Sequence, residues 1–132
     1  MCLYEQEISK FQQFNFAFLI LELNSCFMGV GFKDIIQKNN YTGIGYESVS
    51  YLIRHDGYIF SHHQQHLNNK QISFYFTSND IILVKVNITE KYIRWTKNNT
   101  VQSIIMEINT EEELYPCVII NKSKVKIFDI IQ

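Results

Sequence analysis

Apolar and polar residues alternate with a period of two along most of this chain. Runs of this kind lie at 14–23, 72–76, 82–88, 93–95, 104–108 and 124–127. They are rich in β-branched and aromatic residues, and Asn, Asp, Ser or Gly bounds them. A period of two with such bounding residues is typical of half-buried antiparallel strands. Because the runs are short and follow one another closely, the sequence predicts an all-β sandwich or barrel.

The alternation also predicts which side chains face the core. The predicted inward residues are Phe14, Phe16, Phe18, Ile20, Ile72, Phe74, Phe76, Ile82, Val84, Val86, Ile88, Ile93, Trp95, Ile104, Met106, Ile108, Val125 and Ile127. Three polar breaks are predicted turns: TSND at 77–80, ITEK at 88–91 and KNNT at 97–100, where Asn tolerates a positive φ. Only KDIIQKNN at 33–40 fits a turn of helix.

Length and composition narrow the class of protein. The chain has 132 residues, 46% of them apolar, which fits one domain with a core of its own. Its net charge is −1, and the basic residues are spread along the chain, so we expect no nucleic-acid partner. The alternating Lys122, Lys124 and Lys126 share one face of a strand, which we expect to be solvated. The apolar stretch at 16–23 is too short to span a bilayer, so we expect no membrane partner.

The cysteines indicate the compartment. Cys2, Cys26 and Cys117 are far apart, odd in number and without a CxxC pair. This pattern argues against a disulfide framework and a cysteine zinc site, and it favours a reducing compartment. We therefore expect an intracellular, cytoplasmic protein, with a cytoskeletal or nuclear assembly left open.

All four histidines lie in HDGYIFSHHQQH at 55–66. A metal site is one interpretation of this stretch, and a polar loop at a recognition surface is another. On a strand, His62 and His66 share a face but lie roughly 13 Å apart, too far to hold one ion. The sequence therefore favours a polar loop, either without a binding role or at a recognition surface, and a metal or small-molecule binder remains the alternative.

No residue pattern in the chain indicates catalysis. A nucleophile paired with a histidine could be composed from Cys26, Cys117 or Ser61, but no motif fixes their geometry. We expect a protein that is not an enzyme and has no cofactor.

Within the histidine stretch, Asp56 and Gly57 form a predicted turn pair with Gly57 at positive φ. Tyr58 and Phe60 then share a face, predicted to pack inward.

The series of motifs resembles the SPRY domain, the core of the B30.2 family. FLILEL followed by CFMGVGFKD is similar to the family's YWEVEV strand followed by WxIGVxxxD, and LYPCV at 114–118 is similar to LYPxV. The matching positions are Glu22, Gly29, Val30, Gly31, Asp56, Gly57, Asp80, Ile93, Trp95, Asn98, Leu114, Tyr115, Pro116 and Val118. The likeness runs over residues 16–130 in the family's order.

The chain departs from the family pattern in three places. Ile82 or Leu83 replaces a glycine, and Asn98-Asn99 replaces an NG turn. Only about fifteen residues precede the YWEVEV-like strand, where family members carry extra strands. We therefore expect a minimal or N-terminally truncated sandwich, with one sheet edge or face poorly covered.

The resemblance implies a bent antiparallel β-sandwich of the SPRY or concanavalin-like jelly-roll type. We expect an N-terminal extension at 1–13 and the domain at 14–132. The family implies a non-catalytic module that docks a peptide or a folded protein partner through loops at one end of the sandwich. The predicted partner-binding residues are Tyr46, Arg54, Tyr58, His62, His63 and Glu112. The short N-terminus further suggests a subunit of a larger assembly.

Overall fold

The computed structural model describes residues 2–3, 13–32, 50–111 and 114–129. Its strands are β1 (Cys2–Leu3), β2 (Gln13–Glu22), β3 (Ser25–Phe32), β4 (Ser50–Arg54), β5 (Asp56–Ser61), β6 (Lys70–Tyr75), β7 (Ile81–Asn87), β8 (Tyr92–Lys97), β9 (Ser103–Glu107), β10 (Leu114–Asn121) and β11 (Lys124–Asp129). Across these ranges the regular elements are all strands, which confirms the predicted all-β class. The same ranges contain no helix long and apolar enough to cross a membrane. The segment at 33–40 lies outside them.

The strands form two antiparallel sheets. One has six strands in the order β1-β10-β3-β4-β5-β6, and the other has five in the order β11-β2-β7-β8-β9. Chain neighbours such as β7 and β8 pair within a sheet. From β2 onward, the chain passes from one sheet to the other between β2 and β3, β6 and β7, β9 and β10, and β10 and β11. The result is a β-sandwich, as predicted.

The core lies between the two sheets, where the period of two places apolar side chains on facing surfaces. In the five-stranded sheet, Phe16 pairs with Val84, Val84 with Trp95, and Trp95 with Ile104. From the six-stranded sheet, Met28, Val30, Tyr51, Ile53 and Ile59 join the same cluster, each at most 1% exposed. The predicted core position of Trp95 is confirmed, since the side chain is fully buried.

A second apolar cluster lies apart from the core between the sheets. Phe27, Leu52, Phe60 and Cys117 form it, with Tyr58 and Ile119 packed against them. Their strand neighbours Met28 and Ile59 belong to the first cluster, so alternation places this second cluster on the outer face of the six-stranded sheet. Tyr58 and Phe60 therefore share a face as predicted, but the prediction that they pack inward is wrong.

One predicted inward side chain in β6 is also exposed. Phe74 and Phe76 are buried, but Ile72 is 53% exposed. The pairing of β5 with β6 shifts register between Asp56 and Tyr58. The shift breaks the simple alternation on β6, which is an edge strand.

Three of the predicted turns are present, and a residue at positive φ marks each of them. Asn79, Lys91 and Asn99 have φ of 74°, 60° and 63° in the three predicted breaks. Gly57 has the predicted positive φ of 89°, but it lies inside β5 beside the register shift, and the turn between β4 and β5 is at His55. A methyl group at Gly57 would lie 3.0 Å from the carbonyl oxygen of Ser73, so the position also lacks space.

Antiparallel pairing sorts the described loops into two ends. Those after β2, β4, β6, β8 and β10 form one end, called here the arginine end because Arg54 terminates β4 there. Those at 62–69, 88–91 and 108–111 form the other, called the histidine end because it carries His62 and His63.

Candidate functional site: a fixed arginine and a pocket at one end of the sandwich

Arg54 is held in one position by a carboxylate and three rings. Its Nε and Nη2 atoms donate to Oδ1 and Oδ2 of Asp56 at 2.7 and 2.9 Å. Its Cζ atom lies 4.4 Å from the ring centre of Tyr58, 5.6 Å from that of Phe27 and 5.8 Å from that of Phe60. Arginine stacks on aromatic faces and pairs with carboxylates through two parallel hydrogen bonds. The guanidinium is therefore fixed in geometry while 27% of its side chain stays exposed.

This pairing sets the charge state of both groups. The hydrogen bonds from Arg54 hold the pKa of the Asp56 carboxyl below its usual range, against the opposing effect of partial burial. The same hydrogen bonds raise the pKa of Arg54. Both groups are therefore charged at neutral pH, and the side chain of Asp56 is 35% exposed.

A pocket of about 380 Å³ opens next to this pair. Its apolar lining comes from Leu23, Tyr75 and Phe76, and Thr77 also lines it. Tyr75 is the last residue of β6, and the other three residues lie on the connections that leave β2 and β6. The ring of Tyr75 is well exposed, at 61%, whereas Phe76 is buried. The alternation of ISFYF explains the difference, since Tyr75 lies between two residues whose side chains enter the core.

His55, Asp56 and Lys97 bring polar atoms to the pocket. The backbone N–H of Cys26 donates to Nδ1 of His55 at 3.4 Å, so the neutral ring carries its proton on Nε2. Nζ of Lys97 donates to the carbonyl oxygen of Tyr75 at 3.1 Å and lies 3.6 Å from Oδ2 of Asp80. An ammonium has three N–H donors, so Lys97 keeps at least one more.

Hydrogen bonds tie the loops of the arginine end together. Oγ of Ser123 accepts from the backbone N–H groups of Asn24 and Ser25 at 2.7 and 3.0 Å. Oγ of Ser78 accepts from the N–H of Leu23 at 3.0 Å, and the N–H of Phe76 donates to the carbonyl oxygen of His55 at 3.0 Å. Each bond joins two loops that are distant in sequence, so this end of the sandwich is a stiff surface.

The histidine end has a different construction, centred on the fully buried Tyr51. The N–H of Asn109 donates to the Tyr51 hydroxyl at 2.8 Å, and that hydroxyl shares a hydrogen bond of 2.7 Å with Nδ1 of His63. Nε2 of His63 then lies 3.7 Å from Oε1 of Glu107. The ring of His62 packs edge-on against Phe32, with 4.7 Å between centroids.

The surroundings of Tyr51 keep its hydroxyl neutral. Burial raises the pKa of Tyr51 to about 12, and the negative charge of Glu107 acts in the same direction. A cavity of about 200 Å³ adjoins His63, and its charged lining groups are Lys91, Glu107 and Glu111. The two ends thus differ in kind: an apolar pocket beside a fixed arginine, and a smaller charged cavity.

The predicted partner-binding residues do not form one group. Arg54 and Tyr58 lie together near the arginine end, with their side chains in contact. His62 and His63 lie past the other end of β5. Tyr46 and Glu112 lie outside the described residues.

The structure adds residues that the sequence reasoning missed. Tyr75 and Lys97 line the pocket, and Tyr51 and Glu107 flank His63. For Tyr75 a signal was available, since its outward position in ISFYF marks an exposed aromatic residue. For Lys97 none was available, because its place beside Tyr75 depends on how β6 and β8 of different sheets approach each other.

The described residues offer no metal cluster, and the thiol of Cys26 is unreactive. They contain no group of three or more His, Cys, Asp or Glu side chains placed to hold a metal ion. Burial raises the pKa of the Cys26 thiol to about 12, so it stays protonated and unreactive at neutral pH. The histidines separate instead, with His55 at one end of the sandwich and His62 and His63 at the other.

Comparison with known proteins gives the family. The SPRY domain profile matches residues 13–130. No curated protein matches the chain. Among solved structures, the crystal structure of the SPRY domain of human HERC1 is similar with a TM-score of 0.75 and 20% identity, over 98% of this chain and 82% of that chain. At this identity the likeness concerns the fold, and SPRY domains are generally protein–protein interaction modules. Because the profile match covers most of the 132 residues of this chain, the chain belongs to the SPRY domain family.

Proposed function

We propose that the chain is a non-catalytic module that docks a peptide or folded protein partner through the arginine end of its sandwich. One observation carries the proposal: Arg54 is locked by Asp56 and Tyr58 and is still partly exposed. An arginine that is already ordered loses little conformational entropy when a partner binds. Arginine and tyrosine are also the residue types that contribute most binding energy at protein interfaces.

The stiffness of this end supports the same function. Interfaces between preformed surfaces bind with little backbone movement, and rigid scaffolds that present loops are common recognition surfaces. The hydrogen bonds of Ser78 and Ser123 give the arginine end that property.

We also propose that the protein acts inside the cell, in the cytoplasm, because its cysteine pattern favours a reducing compartment. We propose further that it is a subunit of a larger assembly. The support is the short pairing of β1, which covers β10 only through Cys2 and Leu3 within the described residues. Open sheet edges favour pairing with another chain. Thermal unfolding and light scattering of the chain alone test this, because a stable, cooperative monomer contradicts an obligate-subunit role.

Selection of peptides displayed on phage against the immobilised protein tests the docking function. We expect an enriched family of peptides whose affinity falls at least tenfold for Arg54→Lys, which keeps the charge but loses the two parallel hydrogen bonds. The matched control is Arg94→Lys, because Arg94 is exposed on the other sheet and lies 5.6 Å from the ring of Tyr92. Circular dichroism confirms that both variants fold. Failure to enrich any peptide, or equal affinity for both variants, contradicts the proposal.

A further inference from the structure

The pocket beside Asp56 has the size and lining of a site for a single side chain. Its volume of about 380 Å³ falls within the range of ligand pockets. The cavity at the histidine end is about half as large, and charged groups line it. Leu23, the exposed ring of Tyr75 and the edge of Phe76 provide apolar walls.

The charges around the pocket are already neutralised. Arg54 pairs with Asp56, and Lys97 lies 3.6 Å from Asp80. A ligand with a net charge would therefore compete with an existing partner on either side. The pocket is suited to a neutral group.

The polar atoms that remain match a peptide backbone. Each carboxylate oxygen of Asp56 holds one N–H of Arg54 and keeps acceptor capacity for another donor. His55 has its Nε2–H, and Lys97 has a third N–H, so the site also supplies donors. Every residue of a bound peptide presents one N–H and one C=O beside its side chain. An acceptor and two donors beside an apolar pocket therefore fit one residue of a polypeptide.

We propose that this pocket receives one large apolar side chain, aromatic or aliphatic, from an otherwise neutral segment of a protein partner. Asp56 accepts from the backbone N–H of that segment, and His55 or Lys97 donates to its C=O. This inference rests on the proposed function, since it names the residue class that the arginine end recognises.

Capped amino acids test the pocket without knowledge of the partner. The N-acetyl amides of Trp, Phe, Leu and Ala are titrated against ¹⁵N-labelled protein and followed by NMR. We expect millimolar binding of the Trp, Phe and Leu compounds, with shifts at the amides of His55, Tyr75 and Thr77. We expect affinity for the Ala compound to be at least tenfold weaker. Equal affinity for all four, or shifts centred on His63, overturns the proposal.

Two variants locate the site. Thr77→Phe places a ring in the pocket and keeps the backbone N–H of Thr77, which donates to Oδ2 of Asp80 at 2.8 Å. Thr89→Phe is the matched control, because Thr89 is exposed at the other end of the molecule. We expect Thr77→Phe to abolish binding of the capped amino acids and Thr89→Phe to leave it unchanged. Binding that survives Thr77→Phe contradicts the assignment.

The selected phage peptides separate this inference from the proposed function. If peptides bind through Arg54 but tolerate alanine at every apolar position and are unaffected by Thr77→Phe, docking stands and the pocket assignment fails. If no peptide binds while the capped amino acids do, the pocket is a small-molecule site, and both proposals fail. If one apolar position is essential and Thr77→Phe removes binding, both are supported.

Discussion

Replacing Tyr51 with Phe removes one oxygen atom that links two loops of the histidine end. The ring of Tyr51 is fully buried and packs against Phe32, so Tyr51→Phe preserves its apolar contacts. The lost hydroxyl leaves the N–H of Asn109 and Nδ1 of His63 without the partners that they have at 2.8 and 2.7 Å. The two losses differ in cost, because about a third of the His63 side chain is exposed, at 33%, and water can replace the hydroxyl there.

The cost of the substitution therefore comes mainly from the partly buried N–H of Asn109. An unpaired buried donor costs about 1–3 kcal/mol, and we expect Tyr51→Phe to lower the free energy of unfolding by about 1–2 kcal/mol. Urea unfolding measures this value, with an unchanged dependence on denaturant if only stability changes. In hydrogen exchange, the amide of Asn109 should lose protection.

The control is Tyr92→Phe, at a half-buried ring beside Arg94. We expect it to change the free energy of unfolding by less than about 0.5 kcal/mol, as for most surface substitutions. Equal effects of Tyr51→Phe and Tyr92→Phe, or unchanged protection at Asn109, would refute the hydrogen-bond reasoning.

Three further predictions concern the core. In Gly29→Ala the added methyl group overlaps the carbonyl oxygen of Tyr51 and lies 3.0 Å from Cζ2 of Trp95. We therefore expect the free energy of unfolding in urea to fall by about 3 kcal/mol or more. A fall below about 1 kcal/mol contradicts the packing argument. Trp95→Ala should lower the free energy of unfolding by about 3–5 kcal/mol in the same assay. Trp95→Phe should lower it clearly less, because Nε1 of Trp95 has no hydrogen-bond partner in the described part of the chain and none is lost. The pKa values of Cys26 and Tyr51 are raised to about 12 from 9.0 and 10.0. Their neutral forms therefore stabilise the fold fully below pH 9, and that stability is lost as the pH rises towards 12. From pH 8 to 10.5 we expect the free energy of unfolding of the wild-type protein to fall by about 2–3 kcal/mol. Most of this fall should be absent in Cys26→Ala. Equal falls in the wild-type protein and in Cys26→Ala contradict the assignment.

Much of the fold could be predicted from the order of the residues. The alternation in FNFAFLILEL predicts which side of β2 is buried, because side chains on a strand point alternately to opposite faces. Positive φ at Asn79 and Asn99 follows from the tolerance of Asn for that conformation. The family resemblance, carried by motifs such as LYPCV, is confirmed by the profile match.

The candidate site was predicted only in part. Arg54 and Tyr58 were chosen from the sequence, and they do lie together. The role of Tyr75 and Lys97 beside them was missed, since those residues belong to strands of different sheets. Tyr58 is predicted both to pack inward with Phe60 and to bind a partner. This shows the limit of periodicity, which predicts that two residues share a face but not which face is inside.

The sequence by itself determined most of the strands, the side chains that share a face and the turns at 77–80, 88–91 and 97–100, because these depend on neighbours within a few residues. It also determined the family, through the order of the motifs along the chain. The tertiary structure decided where the chemistry lies. It brought Asp56, Tyr75 and Lys97 to one pocket, and it sent the histidines of a single twelve-residue stretch to opposite ends of the sandwich. The physical reason is that β5 runs through the middle of HDGYIFSHHQQH, so a short segment of sequence spans the whole length of the sheet.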